Sequence, residues 1–290
     1  MNTVWSQFIQ GANTLYYSRK LRFSELFAER YRALLKLDDR RKLKILEVGC
    51  GPGALAGALH RWYPKAEIYG LDRDSNFINF AREHEKGIEF FEGDATALPF
   101  QNGTFDVTIS YTVSEHIEPK KFFGEQLRVL KSGGACIVLS NRTTAEVKAP
   151  CLDENGFEEG FWRRVAEHDD TLTKYAVRRY PLTEAELPAA MEQFGFGEVT
   201  CDYLAVGLTP DDKKFSALAR DIIEEGRKSA LDCLQNVARS MPEYVAAKDI
   251  EKMTELINKK YDGRLNLYER GEKQWDTAVS LIMFVRGIKN

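Results

Sequence analysis

Cysteine is scarce and scattered in this chain: five residues, Cys50, Cys136, Cys151, Cys201 and Cys233, odd in number and without a C-x-x-C pair. Neither a disulfide framework nor a zinc site follows from such a distribution. The four histidines, His60, His84, His116 and His168, are equally far apart, so metal binding has no support in the sequence. No apolar run approaches the roughly 18 residues of a membrane span. Met1 to Gln7 lacks the basic start and apolar core of a signal peptide, so a cytoplasmic protein without a membrane partner is expected. Neither sign of charge dominates. With 41 Lys and Arg against 44 Asp and Glu, the net charge is −3, which argues against a general nucleic-acid surface. Pairs such as Arg163-Arg164 and Arg178-Arg179 have acids close by in sequence and read as solvated helix ends or salt-bridge partners. There is no internal repeat and no low-complexity linker. At 290 residues and 43% hydrophobic content, the chain is long enough to bury a sizeable core.

What is present is concentrated between residues 43 and 141. Ile45-Leu46-Glu47-Val48-Gly49-Cys50-Gly51-Pro52-Gly53 is an apolar strand running into a glycine-dense turn and then into a helical pattern. A tight strand-to-helix turn explains one or two glycines, but not Gly49, Gly51 and Gly53 within five residues. Such a loop lets a nucleotide-like ligand approach bare main chain at the positive end of the following helix. The dinucleotide fingerprint is matched only in part, since Ala54 stands where its third glycine belongs. Ile68 to Asp72 is a second short strand ending in a carboxylate placed to accept from ribose hydroxyls. Asp74 or Ser75 caps the helix after it. A third strand, Ile88 to Glu92, ends in Gly93-Asp94-Ala95, where a carboxylate can take the exocyclic amine of an adenine. The fourth, Phe105 to Tyr111, follows Leu98-Pro99-Phe100.

In this order, Glu47 to Gly53, Asp72, Gly93-Asp94-Ala95, Phe105-Asp106-Val107, Glu115-His116-Ile117 and Leu130-Lys131-Ser132-Gly133-Gly134 before Ala135 to Leu139, the chain resembles the class I S-adenosylmethionine-dependent methyltransferases. Within them it is similar to the small-molecule group with the E-x-G-x-G-x-G loop. The resemblance covers 43–141 and resumes at 183–206 and 276–289. It implies an α/β fold, a Rossmann-like and mostly parallel seven-stranded sheet with an antiparallel C-terminal strand, plus an N-terminal helical segment and a helical insertion. By the same resemblance the cofactor is S-adenosyl-L-methionine. The glycine loop, Gly49, Gly51 and Gly53, supports its methionine part and Asp72 its ribose. Asp94 with the Ala95 N–H reads its adenine. Glu47 and Tyr111 belong to the same cofactor-binding set; an acid at Glu47 either orients the cofactor or holds only the loop.

Three additions surround this core. Residues 1–42 form an N-terminal helical cap, with a helix after Ser24 presenting Leu26, Phe27, Tyr31, Leu34 and Leu35 on one face. Its first half carries Trp5, Phe8, Tyr16, Tyr17, Arg19, Lys20, Arg22 and Phe23. These either fold over the ligands, where an arginine can touch the methionine carboxylate, or only pack the helix onto the sheet. Residues 142–182 leave the carboxyl end of the fifth strand and carry Phe157, Phe161, Trp162, Tyr175 and Tyr180. They either wall the substrate pocket or are buried against neighbouring helices. A capped helix opens at Leu182 to Leu187, Val199 to Val206 is a strand, and Ala278 to Val285 is the last. The cofactor domain is therefore 43–206 with 276–290, and 207–275 is a helical insertion between the last two strands. A lid, a homo-oligomer contact and plain packing are all open to it.

Methyl transfer from a sulfonium is an in-line displacement with a neutral leaving thioether, so positioning the acceptor supplies much of the rate. An acceptor oxygen or nitrogen must also lose its proton. Glu115 and His116 follow the fourth strand. They are the candidate catalytic pair, with His116 as general base, or else shape the cofactor pocket or start a helix. No Asn-Pro-Pro-Tyr-like or Asp-Pro-Pro-Tyr-like tetrapeptide ends the fourth strand, where Ser110-Tyr111-Thr112-Val113 stands, and no Pro-Cys nucleophile occurs. A small-molecule acceptor, methylated at oxygen or nitrogen rather than carbon, is left. The other functional readings are a nicotinamide-dependent oxidoreductase, weakened by Ala54 and by Gly93-Asp94, and a non-catalytic cofactor-binding protein.

Overall fold

The computed structural model describes residues 4–290. After a short π-helical segment, Trp5–Ile9, come α1 (Ala12–Arg22) and α2 (Ala28–Leu35). The Rossmann-like core then alternates β1 (Lys44–Val48), α3 (Ala54–Trp62), β2 (Glu67–Asp72), α4 (Ser75–His84), β3 (Glu89–Glu92), β4 (Phe105–Tyr111), α5 (Pro119–Val129) and β5 (Leu130–Val147). Beyond it lie α6 (Gly156–His168), α7 (Thr171–Lys174), α8 (Glu186–Gln193), β6 (Phe196–Leu208), α9 (Ala219–Ser240), α10 (Ala247–Glu269) and β7 (Thr277–Lys289). The seven strands stand in the order β3-β2-β1-β4-β5-β7-β6. β1 to β5 run parallel, while β7 is antiparallel to both β5 and β6. The order reverses between β1 and β4, which places a ligand crevice outside their carboxyl ends.

Side chains alternate across the sheet, so each strand feeds two cores. Ile45, Val107, Ile109 and Tyr111 face α3, α4 and the N-terminal helices, with Phe23, Tyr31, Leu35 and Leu55 closing that side. Leu46, Val48, Phe105 and Val138 face α5 and α8 through Phe122, Phe123, Leu187 and Met191. Local chemistry sets the helix starts. Asp74 caps α4 by accepting from the N–H groups of Asn76 and Phe77. Asn155 and Glu158 form a capping box at α6, and Thr183 with Glu186 forms the expected one before α8, at 2.9 and 3.2 Å.

Two elements depart from the sequence expectation. The aromatic and basic first half of the N-terminal segment is itself helical, as α1, and the helix expected after Ser24 begins as a single tight turn over Glu25–Phe27 that leaves Leu26 exposed. The second concerns β5, which does not stop at Leu139: residues through Val147 remain paired, with Val147 opposite Thr277. The reason is non-local. β7 supplies the ladder from more than a hundred residues away, so the start of the 142–182 segment continues the sheet. A third core lies among the helices, where Phe161 and Val165 of α6 pack with Leu234 and Val237 of α9 and Met253 and Ile257 of α10. Its base is pinned by Arg264, fully buried and paired with Asp211 at 2.8 Å and Asp276 at 2.6 Å.

Candidate functional site

The turn after β1 is shaped by what lies on either side of it. Gly49 has φ +71°, and a Cβ there would come within 2.5 Å of Val113. Gly51 has φ +54°, and a Cβ there would meet the Arg19 guanidinium at 3.1 Å. Both positions combine a left-handed backbone with a close neighbour, which only glycine tolerates without strain. Gly53, at φ +89°, has the same two features but does not line the cleft: its missing side chain lets Ala81 and Phe90 pack against the start of α3.

The loop does not offer its N–H groups to a ligand, as the glycine pattern alone suggests. Gly49 and Cys50 donate to the Leu71 carbonyl at 2.7 and 2.9 Å, and Gly53 donates to Cys50 at 3.1 Å. Gly51 donates to Asp72 Oδ2 at 2.8 Å. The tip of β2 lies against the turn and takes the donors of Gly49, Cys50 and Gly51, while that of Gly53 closes within the loop, so the glycines contribute contour and close approach instead.

A cleft of about 290 Å³ opens beside this loop, at the carboxyl ends of the strands. Gly49, Gly51, Asp72, Asp94, Ala95 and His116 all line it. Asp72 accepts from the N–H groups of Gly51 and Asp74, one on each carboxylate oxygen. A carboxylate has about four lone-pair sites, so two remain for hydroxyl donors. Burial holds the Asp72 carboxyl above its ordinary value, although those two N–H bonds pull it down. Asp94 is exposed, and its Oδ1 takes the Thr96 N–H and hydroxyl at 2.8 Å each. Its Oδ2 has no partner among the described residues.

Glu47, Tyr111 and Glu115 are placed otherwise. Glu47 is fully buried under the loop, on the same strand face as Ile45, and neither carboxylate oxygen has a well-aligned hydrogen-bond donor among the described residues. Burial pushes its carboxyl up to about 8, against the pull of Arg19 and of the nearby Ala56 N–H, so the neutral acid prevails at pH 7. Tyr111 is buried behind the cleft with the Arg19 guanidinium 5.1 Å over its ring. Glu115 stays outside the cleft lining; its main-chain carbonyl accepts from Tyr180 N–H at 2.8 Å.

His116 lines the cleft, but its geometry weighs against a general base. Its Nδ1 accepts the Arg178 N–H at 2.8 Å, which assigns the ring proton of the neutral form to Nε2. Burial lowers its pKa to about 4, and the charges of Arg73, Arg178 and Arg19 add to the effect; only the Thr112 backbone opposes. One lone pair is occupied and the basicity is far below operating pH.

Several cleft residues have no individual sequence signal. Arg19, on α1, donates to Thr112 Oγ1 at 2.9 Å, and Thr112 sits at φ +55° just after β4. In sequence Arg19 is indistinguishable from Lys20 and Arg22; only the turn of α1 over the loop singles it out. Trp5 meets His116 edge-on at 4.7 Å, and Phe8 stacks on Tyr175 at 5.2 Å. Tyr180 lines the cleft, whereas Phe161 and Trp162 belong to the third core. Of the aromatics of 142–182, Tyr180 reaches the cleft, Tyr175 stacks on Phe8, and Phe157, Phe161 and Trp162 pack on the insertion. No residue of 207–275 lines the cleft. Instead α9 holds the segment above it: Asp232 accepts the Gly11 N–H at 3.0 Å, and Asn236 donates to the Ile9 carbonyl at 2.9 Å.

Residues 46–138 match the family profile described as a methyltransferase domain. The chain is 42% identical over 95 residues to a fatty-acid O-methyltransferase of Mycolicibacterium smegmatis, covering 31% of this chain and 34% of that protein. It is 32% identical over 114 residues to a ubiquinone/menaquinone biosynthesis C-methyltransferase of Desulfotalea psychrophila, covering 38% of this chain and 46% of that protein. The chain thus spans less than half the length of these two relatives. Among solved structures, a Haemonchus contortus phosphoethanolamine N-methyltransferase 2 in complex with S-adenosyl-L-methionine superposes with a TM-score of 0.52 at 15% identity. That superposition covers 98% of this chain and 59% of the other, and shows a shared fold.

Proposed function

We propose that the chain, whose residues 46–138 match a methyltransferase-domain family and whose fold is shared with a class I methyltransferase structure, transfers a methyl group from S-adenosyl-L-methionine to a small molecule, at oxygen or nitrogen, with carbon as the alternative. The observation that carries this reading is the convergence of Asp72, Asp94, Ala95 and Arg19 on one cleft beside the glycine loop. The residues fit the cofactor part by part. The spare lone pairs of Asp72 suit two ribose hydroxyls. Asp94 Oδ2 and the Ala95 N–H suit the adenine edge, between the apolar side chains of Leu71, Phe77 and Ile117. Arg19 suits the carboxylate of the methionine part.

When bound, the cofactor supplies a methyl group already activated on a sulfonium, so the chain's task is to hold, orient and exclude water. Glu47, Gly53 and Tyr111 act behind the cleft as positioning residues: the acid fills the space under the loop, the glycine seats α3, and the ring supports Arg19. Trp5, Tyr180 and His116 wall the acceptor end. Because His116 is arranged as a donor, the acceptor reaches the site with its lone pair already free or releases its proton to solvent. The same reading places the enzyme in the cytoplasm with a small-molecule partner. Among the described residues, no helix is long and apolar enough to cross a membrane. Self-association through 207–275 is decided by mass in solution. Release of S-adenosylhomocysteine during incubation with a metabolite panel tests the activity. Tight cofactor binding with no turnover on any acceptor would reduce the protein to a binding module.

A further inference from the structure

We infer that the methyl acceptor carries an anionic group, a carboxylate or a phosphate, recognised by Arg73 and Arg178 beside His116. The inference rests on the cofactor reading above and adds the substrate class. Arg73 follows Asp72 at the tip of β2, is exposed and lines the cleft. Arg178 belongs to the loop that closes the cleft from the other side, is exposed, and bonds through its own N–H to His116. Neither guanidinium has an acidic partner among the described residues. Arg73 lines the cleft together with His116, and Arg178 is held to the His116 ring by its own N–H at 2.8 Å, so both residues flank the same histidine although they come from segments about a hundred residues apart.

The other charges of the cleft are accounted for. Lys121 and Glu118 pair with each other at 3.2 Å. Asp72 and Asp94 are assigned to ribose and adenine. Arg19 lies against the glycine loop and Thr112, where the single carboxylate of the cofactor belongs. The bound donor has a positive sulfonium and a positive amino group, so two further guanidinium groups at its open end would repel it or any cationic acceptor. An acceptor with an anionic oxygen group removes that repulsion and fits the planar, forked donors of arginine. The chain as a whole is slightly acidic, at −3, so this cluster is local rather than a reflection of composition.

The test separates the two levels of the reading. The protein is first saturated with S-adenosylhomocysteine by calorimetry; absence of that binding would sink the cofactor reading itself. The loaded protein is then titrated at constant ionic strength with inorganic phosphate, with butyrate and with neutral butyramide, while ring signals of the four histidines are followed by NMR. The expected result is a saturable change at His116 with at least one anion and none with butyramide. Which anion acts distinguishes phosphate from carboxylate. Arg73→Gln and Arg178→Gln should each weaken the response about tenfold or more, while Arg73→Lys keeps part of it. Undiminished affinity for S-adenosylhomocysteine in these variants shows that they are folded. A loaded wild type whose His116 ignores both anions, or an equal response in Arg73→Gln/Arg178→Gln, would overturn the proposal.

Discussion

Glu47, behind the cleft, and His116, in its wall, show how burial sets the chemistry of single residues. Glu47 has a folded pKa of about 8 against an ordinary 4.5. Below 4.5 it is protonated whether the chain is folded or not. As pH rises from 4.5 to 8 the unfolded chain ionises while the folded one does not, so stability falls across that window. Glu47→Gln removes the titration, and its thermal midpoint should gain on the wild type steadily from pH 5 to pH 8; a difference that does not vary with pH would contradict the buried neutral acid. His116 runs the other way, with a folded pKa of about 4 against 6.5. Its contribution is intact above 6.5 and is lost as pH falls toward 4, so His116→Gln should flatten the acid side of the stability curve. A general base contributes roughly a hundred- to ten-thousand-fold. The arrangement seen here predicts instead that His116→Gln lowers the methylation rate by less than about tenfold and leaves its pH profile between 6 and 9 unchanged. A hundredfold loss with an altered profile would restore the base. Of these residues, the sequence reveals Asp72, Asp94 and the loop glycines, because strand-tip acids and closely spaced glycines are local signals. It does not reveal that Glu47 is orphaned or that the His116 Nδ1 is taken, since both depend on neighbours far away in the chain.

Among the elements, the helical insertion is the least legible part of the chain. Its helices are readable from apolar spacing in 215–257, and Pro242 falls in the break between α9 and α10. Which face meets which partner is another matter. Phe157, Phe161 and Trp162 recur at helical spacing equally well for a pocket wall and for a helix packed on α9; in the structure α6 packs on the insertion, through contacts far apart in the chain. The consequence is a functional link without cofactor contact. Asp232 and Asn236 of α9 tie down the main chain at Gly11 and Ile9, next to the segment that carries Trp5 into the cleft. Ser6, bonded through its N–H and hydroxyl to Asp74, makes the other tie, at 2.8 and 2.9 Å. A single charged hydrogen bond is worth roughly 1.5–3 kcal/mol. Asp232→Ala should therefore speed hydrogen exchange in residues 4–16 about tenfold or more while exchange in β1, β4 and β5 stays slow. Uniform acceleration across the sheet, or none at all, would mean that α9 does not hold this segment.

At the scale of the whole molecule, the parallel core was readable because each βα unit announces itself: β1, β2 and β4 end where their glycine, acid or Ser-Tyr tips predict. The last two strands were readable as apolar runs and their antiparallel closure as what the resemblance implies, but not their length, since thirteen-residue strands are justified only by pairing with each other and, for β7, with β5. Function follows from the same division. The core brings Asp72, Asp94 and Ala95 to one cleft, and Trp5 and Arg19 of the N-terminal segment with Tyr180 line its other walls. The central claim is that this cleft receives S-adenosylmethionine through Asp72. Titration calorimetry with S-adenosylhomocysteine and with NADH, on the wild type and on Asp72→Ala, tests it most directly. The account predicts stoichiometric binding of S-adenosylhomocysteine, no binding of NADH, and a loss of about tenfold or more in the folded variant. Binding of NADH in place of S-adenosylhomocysteine, or unchanged affinity in a folded Asp72→Ala, would contradict it.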